Sequence, residues 1–183
     1  MSDYLPLPPE VLEICRLVAA PPRLIAHLTL VHDVAEKLVN ALHRAFPGLD
    51  LDGEAVLFGA ATHDIGKSLC PEELSGPGAQ HERYGPDLLK RFQVSEARTR
   101  FAYTHANWQD KSAPLEDLLV ALADTCWKGK RLGPLEEEIV RTISVKSEQQ
   151  EWEVFGLLDE ILQQLTSDAD ARLAWQASFP VTT

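Results

Sequence analysis

The feature that most restricts this chain is a stripe of apolar residues. Leu24, Leu28, Val31, Ala35, Leu38 and Leu42 recur at i, i+4, i+7, i+11, i+14 and i+18. That spacing holds all of them on one face of a helix with about 3.6 residues per turn, so it predicts a long amphipathic helix ending near Ala45. Pro21-Pro22 precede the stripe and Pro47-Gly48 follow it, where a helix can open and must stop.

The same period continues along the chain. Asp52 is a good N-cap for a second helix running through Glu54 to about Asp64. Its small residues Gly59, Ala60 and Ala61 permit close helix approach, and Gly66 is a natural stop. Residues 68–80, rich in Pro, Gly and Ser, read as a loop. His81 to Phe92 is helical in pattern. Pro86 fits there only if the helix starts about His81–Arg83, where its missing N–H would have no partner anyway. Ser95 opens a helix to about Thr104, and 107–113 connect onward. Ser112-Ala113-Pro114 then start a helix over Leu115–Lys128, with Glu116 and Asp117 in its first turn. Beyond Gly133-Pro134, helices are expected over roughly 135–146, 151–165 and 168–178. No alternating run of β-branched residues reaches five, so the fold class is all-α, a bundle of about seven to nine helices.

The length of 183 residues suits a single domain. We expect an N-terminal segment over 1–21, a core over 22–132, and C-terminal helices over 133–183. Trp152, Phe155, Leu157, Leu158, Ile161, Leu162 and Leu165 give that last part an apolar face, for packing on the core or for a homodimer. Acidic residues number 28 against 17 basic, a net charge of −11. Such a chain is poorly suited to long nucleic acids, where phosphate neutralisation supplies most affinity, and to anionic membrane surfaces. No apolar run approaches the roughly 20 residues of a membrane span. Cys15, Cys70 and Cys126 form no CxxC pair, and MSDYLPLPPE has neither a basic n-region nor an apolar h-region. The expected setting is therefore a reducing cytoplasm.

The chemistry concentrates in histidines 27, 32, 43, 63, 81 and 105. His63-Asp64 close a helix of small apolar residues, His81 begins a helix and His105 ends one. Asp124 interrupts the apolar run Leu118 to Ala123, where a carboxylate is costly to bury unless paired or bound to a metal. Helix ends and one buried carboxylate, if they converge, suit a metal cluster.

His63-Asp64-Ile65-Gly66-Lys67 resembles the HDIGK signature of the HD-domain metal-dependent phosphohydrolases, an all-helical superfamily. The resemblance covers about residues 22–131. It implies a ligand set in chain order: a first His, the doublet His63-Asp64, and Asp124 in Leu122-Ala123-Asp124. It also implies the two further histidines of a second metal site, His81 in His-x3-Gly85 and His105 in Tyr103-Thr104-His105. Asp64 would be shared between the ions.

The first histidine is His27 or His32. On a helical wheel His27 lies about 60° to one side of the stripe and His32 about 80° to the other, so geometry separates them weakly. Asp33 falls opposite the stripe, facing solvent, which removes His32-Asp33 as a second doublet. The family pattern of an apolar residue at +4 and +11 matches His27, Val31 and Leu38, and favours His27. His43 belongs to the surface.

Imidazole and carboxylate ligands suit one or two divalent transition metal ions (Mn, Fe, Co, Ni or Zn), with Mg also admissible. Two adjacent ions activate a hydroxide and clamp a phosphoryl oxygen. The resemblance therefore implies a hydrolase cleaving a phosphomonoester or phosphodiester of a small molecule, with a nucleotide favoured. Asp64 and Lys67 would be catalytic. Lys67, Lys128 and Arg131 would bind substrate phosphate, the last two because they stand at i+4 and i+7 from Asp124. Two alternatives stay open: a non-catalytic, metal-bound regulatory module, and a di-iron oxygenase. Tyr84-Gly85-Pro86 is not the GYP motif of the cyclic-dinucleotide phosphodiesterases. That motif lies near the histidine matched by His105, which here is followed by Ala106-Asn107-Trp108.

Overall fold

The computed structural model describes residues 4–110 and 113–182. Among these the chain is all-α. The helices are α1 (Pro9–Leu17), α2 (Pro22–Ala45), α3 (Gly53–Thr62), α4 (Gln80–Arg91), α5 (Glu96–Thr99), α6 (Phe101–Thr104), α7 (Leu115–Cys126), α8 (Gly133–Ser147), α9 (Glu151–Thr166) and α10 (Ala169–Ala177). Short 3-10 turns cover Ile65–Ser68 and Pro71–Leu74. No helix among the described residues is long and apolar enough to cross a membrane.

Helix α2 is the axis of the bundle, with α3, α7, α9 and α10 packed around it. All six residues of its apolar stripe are fully buried, each 0% exposed. Burial of each Leu or Val contributes about 1.5–3 kcal/mol, which makes α2 the main source of packing energy. Leu24 and Leu28 join Val11, Ile14, Phe58 and Ile65 in one apolar cluster, and the rest of the stripe joins α7, α8 and α9 in a larger one. Asp52 caps α3, accepting from the Ala55 N–H at 3.0 Å. The small residues of α3 bring it close to its neighbours: a Cβ on Gly59 would lie 2.6 Å from the Phe101 ring and 2.8 Å from Val120.

The N-terminal segment before α2 forms α1, whose Val11, Ile14 and Cys15 are buried at helical spacing. Several expectations are corrected. Asp33 does not face solvent: it is 3% exposed. It accepts from the Leu5 N–H at 3.0 Å and from Lys37 at 2.8 Å. The wheel failed because the N-terminal segment folds back over that face of α2. The helix expected from Ser95 to Thr104 is broken at Arg100, whose guanidinium donates to Asp117 at 2.9 Å. Asp117 is 0% exposed and also accepts from the Thr104 hydroxyl at 2.5 Å, so it pins α7 to the α5–α6 break. Helix α4 begins at Gln80, leaving Pro86 inside it, and α7 stops at Cys126 rather than Lys128. Ser112 lies outside the described residues.

The C-terminal helices pack on the core, α8 on α7, and α9 on both α2 and α8. Buried Arg172 of α10 locks this arrangement. It donates to the Trp127 carbonyl at 2.6 Å, the Cys126 carbonyl at 3.3 Å and the Leu165 carbonyl at 2.6 Å. One guanidinium thus serves the open carbonyl ends of α7 and α9.

Candidate metal centre

Six side chains from five helices and their ends converge. His27 lies in the second turn of α2, His63 follows α3, and Asp64 precedes the Ile65–Ser68 turn. His81 is the second residue of α4, His105 follows α6, and Asp124 lies in the last turn of α7. All but Asp124 are buried.

The ligand atoms form two groups, His27 with His63 and Asp124, and Asp64 with His81 and His105. Within each group they lie no more than 4.8 Å apart. Asp64 connects the groups through separate oxygens. Its Oδ2 is 3.0 Å from His27 Nε2 and 3.6 Å from His63 Nε2. Its Oδ1 is 3.0 Å from His81 Nε2 and 3.5 Å from His105 Nε2. Asp124 Oδ1 lies 3.5 Å from both His27 Nε2 and His63 Nε2.

Hydrogen bonds behind the rings set which nitrogen faces inward. The Nδ1–H of His63 donates to the Ala60 carbonyl at 2.9 Å, and that of His105 to the Phe101 carbonyl at 3.1 Å. The Nδ1–H of His81 donates to Glu73 Oε2 at 2.5 Å. In the neutral rings the Nε2 atoms of His63, His81 and His105 then carry a lone pair. Those of His81 and His105 face Asp64 Oδ1 at 3.0 and 3.5 Å, and that of His63 faces Oδ2 at 3.6 Å. Asp64 Oδ1 is buried without a hydrogen bond among the described residues. A buried acceptor without a donor is costly, and a cation satisfies it. The donor set of imidazoles and carboxylates suits first-row divalent ions. These residues could hold metal.

The electrostatics agree. Burial works against ionisation of Asp64, but His63, His105, His27 and His81 outweigh it and hold the carboxyl well below its ordinary value. For Asp124 burial is likewise overcome, by His63 first, and its pKa is depressed. Burial pushes His27 down, favouring the neutral ligand form. For His63 and His81 burial also pushes down, but the neighbouring carboxylates together push further up, Asp64 with Asp124 for His63 and Asp64 with Glu73 for His81. Lys67 donates to Asp64 Oδ2 at 2.5 Å, and that carboxylate raises its pKa against the effect of burial.

Gly66 explains part of the local sequence. The turn carrying Lys67 lies directly on the first turn of α4, and a Cβ on Gly66 would stand 2.1 Å from the His81 carbonyl oxygen. Only glycine lets Asp64 and His81 approach from these two elements.

The HD-domain family profile matches residues 24–126, more than half of the chain. This chain belongs to the HD-domain family. No curated protein and no solved structure gives a significant match.

The HD-domain centre opens into a cleft of about 450 Å³, within the range of small-molecule sites. His27, Asp64, His81, His105 and Asp124 line its floor, with Lys67, Lys128, Glu82 and Trp127 around them. Of the two candidate first histidines, His27 stands in the cluster. His32 is buried outside it, beside Glu54 and Phe58. His43 is exposed.

Lys67 and Lys128 both reach the cleft, Lys128 with its Nζ 3.7 Å from Asp124 Oδ2. Arg131 does not line it. It donates to Glu136 at 2.9 and 2.7 Å and to Asp159 at 2.8 Å. The helix carrying Asp124 ends before Arg131, so the i+7 relation fails. Glu136, in the first turn of α8, is buried against this arginine.

Three residues escaped the sequence reading. Glu73 sits in a stretch that looks like loop, and no periodicity singles it out. Leu173 and Gln176 come from α10, fifty residues past the last ligand, yet both line the cleft. The cysteines take no part: burial raises Cys15 to about 11 and Cys126 to about 12, leaving them unreactive thiols.

Proposed function

We propose that this HD-domain protein is a metal-dependent phosphohydrolase acting on a phosphate ester of a small molecule, with a nucleotide the favoured substrate. The observation that carries this reading is the convergence of four imidazole Nε2 atoms on the two oxygens of Asp64 at 3.0–3.6 Å. Bound ions would supply Lewis-acid activation of water and charge neutralisation at phosphorus. His27, His63, Asp124 and Asp64 Oδ2 would hold one ion, and Asp64 Oδ1, His81 and His105 the other. Lys67 and Lys128 add positive charge at the rim, where phosphate oxygens would enter. Trp127, Leu173 and Gln176 wall the space left for the rest of the substrate.

The test is elemental analysis of gently purified protein, followed by a screen of nucleotides and generic phosphoesters with the metal found. Turnover dependent on that metal supports the reading. Bound metal without turnover of any phosphoester replaces it with a regulatory module. An iron pair with a mixed-valent spectroscopic signature points to an oxygenase.

The two lysines separate by size of effect. Lys67→Ala should lower kcat/KM about a hundredfold with bound metal retained, since it removes a partly buried cation held against Asp64. Lys128→Ala, on a half-exposed side chain, should cost about tenfold, mainly in KM. Steady-state kinetics alongside metal content checks both.

A further inference from the structure

The two candidate ion positions are unequally provided for. One has two carboxylates, Asp124 and Asp64 Oδ2, with His27 and His63. The other has only Asp64 Oδ1, with His81 and His105. The support behind the rings differs in the opposite sense. His63 and His105 lean on neutral carbonyls, and His27 Nδ1 has no hydrogen-bond partner among the described residues. His81 alone is backed by a carboxylate, that of Glu73.

Resting on the metal reading above, we infer that Glu73 is a positioning residue that enables the poorer position, Asp64–His81–His105, to hold its ion. A carboxylate behind an imidazole fixes the tautomer, orients the ring and strengthens the opposite nitrogen as a donor. It supplies, one hydrogen bond removed, the negative charge that this position lacks among its direct ligands.

The surroundings of Glu73 are built for this. The side chain is buried, 4% exposed. Its Oε2 accepts from both Nδ1–H and backbone N–H of His81, the latter at 3.2 Å. Its Oε1 accepts from the Gln80 N–H at 3.0 Å. Gln80 and His81 are the first residues of α4, whose N–H groups have no helical partner. One carboxylate thus anchors the start of the helix and the ring it carries.

Gly78 leaves the room. A Cβ there would stand 2.3 Å from Glu73 Oε1 and 2.4 Å from Cδ. The obstructed atoms are the far end of a flexible side chain. Gly78 is not among the residues with positive φ. Alanine at 78 should therefore displace the carboxylate without straining the backbone.

The test uses the full chain, stripped of metal and titrated with Mn²⁺, followed by calorimetry and by the electron spin coupling of adjacent ions. Wild type should take up two ions and show coupling. Glu73→Gln keeps an acceptor oxygen but loses the charge. It should bind one ion with unchanged affinity and the second about 10–100-fold more weakly. Gly78→Ala should give the same pattern with Glu73 still present, and its thermal melt in chelator should match wild type. His27→Ala should weaken the other ion and leave the Glu73-dependent one. Two ions of wild-type affinity in both Glu73→Gln and Gly78→Ala overturn the inference, as does a wild type that binds a single ion. A wild type that binds no ion overturns the metal reading itself.

Discussion

Asp64→Ala should empty both candidate ion positions and lower kcat/KM by at least about a thousandfold. Asp64 is the one ligand whose two oxygens are divided between the groups, Oδ2 toward His27 and His63, Oδ1 toward His81 and His105. Every other candidate ligand belongs to one group. Loss of any of those removes a ligand from a single position, whereas loss of Asp64 removes one from each. Asp64→Asn separates charge from shape. The amide fits the space, but its nitrogen carries protons that point at lone pairs. It should therefore behave nearly as badly as alanine. Metal per chain and steady-state kinetics are the measurements, with a melt in chelator to show that the chain stays folded. Metal content equal to wild type, with kcat/KM within tenfold, sinks the reading of Asp64 as the shared ligand.

Arg172→Met should have the largest effect on stability. The side chain is 3% exposed and donates to the carbonyls of Trp127, Cys126 and Leu165. Methionine fills much of the volume and supplies no donor, so these carbonyls at the ends of α7 and α9 lose their charged partner. A hydrogen bond to a charged group is worth about 1.5–3 kcal/mol, and a total loss of about 3–5 kcal/mol follows from two short bonds and one long one of 3.3 Å. In a domain of this size that lowers Tm by about 10 °C. Urea and thermal unfolding measure it, and a loss below about 1 kcal/mol refutes it. The functional consequence is more specific. Trp127 and α10 wall the cleft, so the variant should also show a raised KM below its melting range while bound metal is retained.

Much of the candidate metal centre is legible in the sequence, for a physical reason. His63-Asp64 are adjacent, His81, His105 and Asp124 stand at helix ends or inside an apolar run, and each carries a local mark. Asp124 is the clearest case, because a carboxylate among leucines has to be compensated by something. Arg131 shows where such reasoning stops. Its relation to Asp124 assumed that a helix continued, and the helix ended first. Asp33 failed for a related reason: a wheel describes one helix in water, and the N-terminal segment supplied a partner that the wheel does not contain. Glu73 had no local mark. Its importance exists only because its turn folds back onto the start of α4.

The apolar period of α2, the absence of strand patterns and the small residues of α3 determined an all-α bundle around one long helix. Those signals are local, since 3.6-residue periodicity and side-chain size act within a few turns. The family resemblance favoured His27 and implied a shared Asp64, and the tertiary structure placed His27 rather than His32 in the cluster and divided the two Asp64 oxygens between the groups. The tertiary structure alone decided the carboxylate behind His81 and the placing of Leu173 and Gln176 in the cleft wall. Each of these is a relation between elements distant in sequence. Such relations are set by how the helices pack and by which buried polar atoms must find partners, and no residue spacing encodes them.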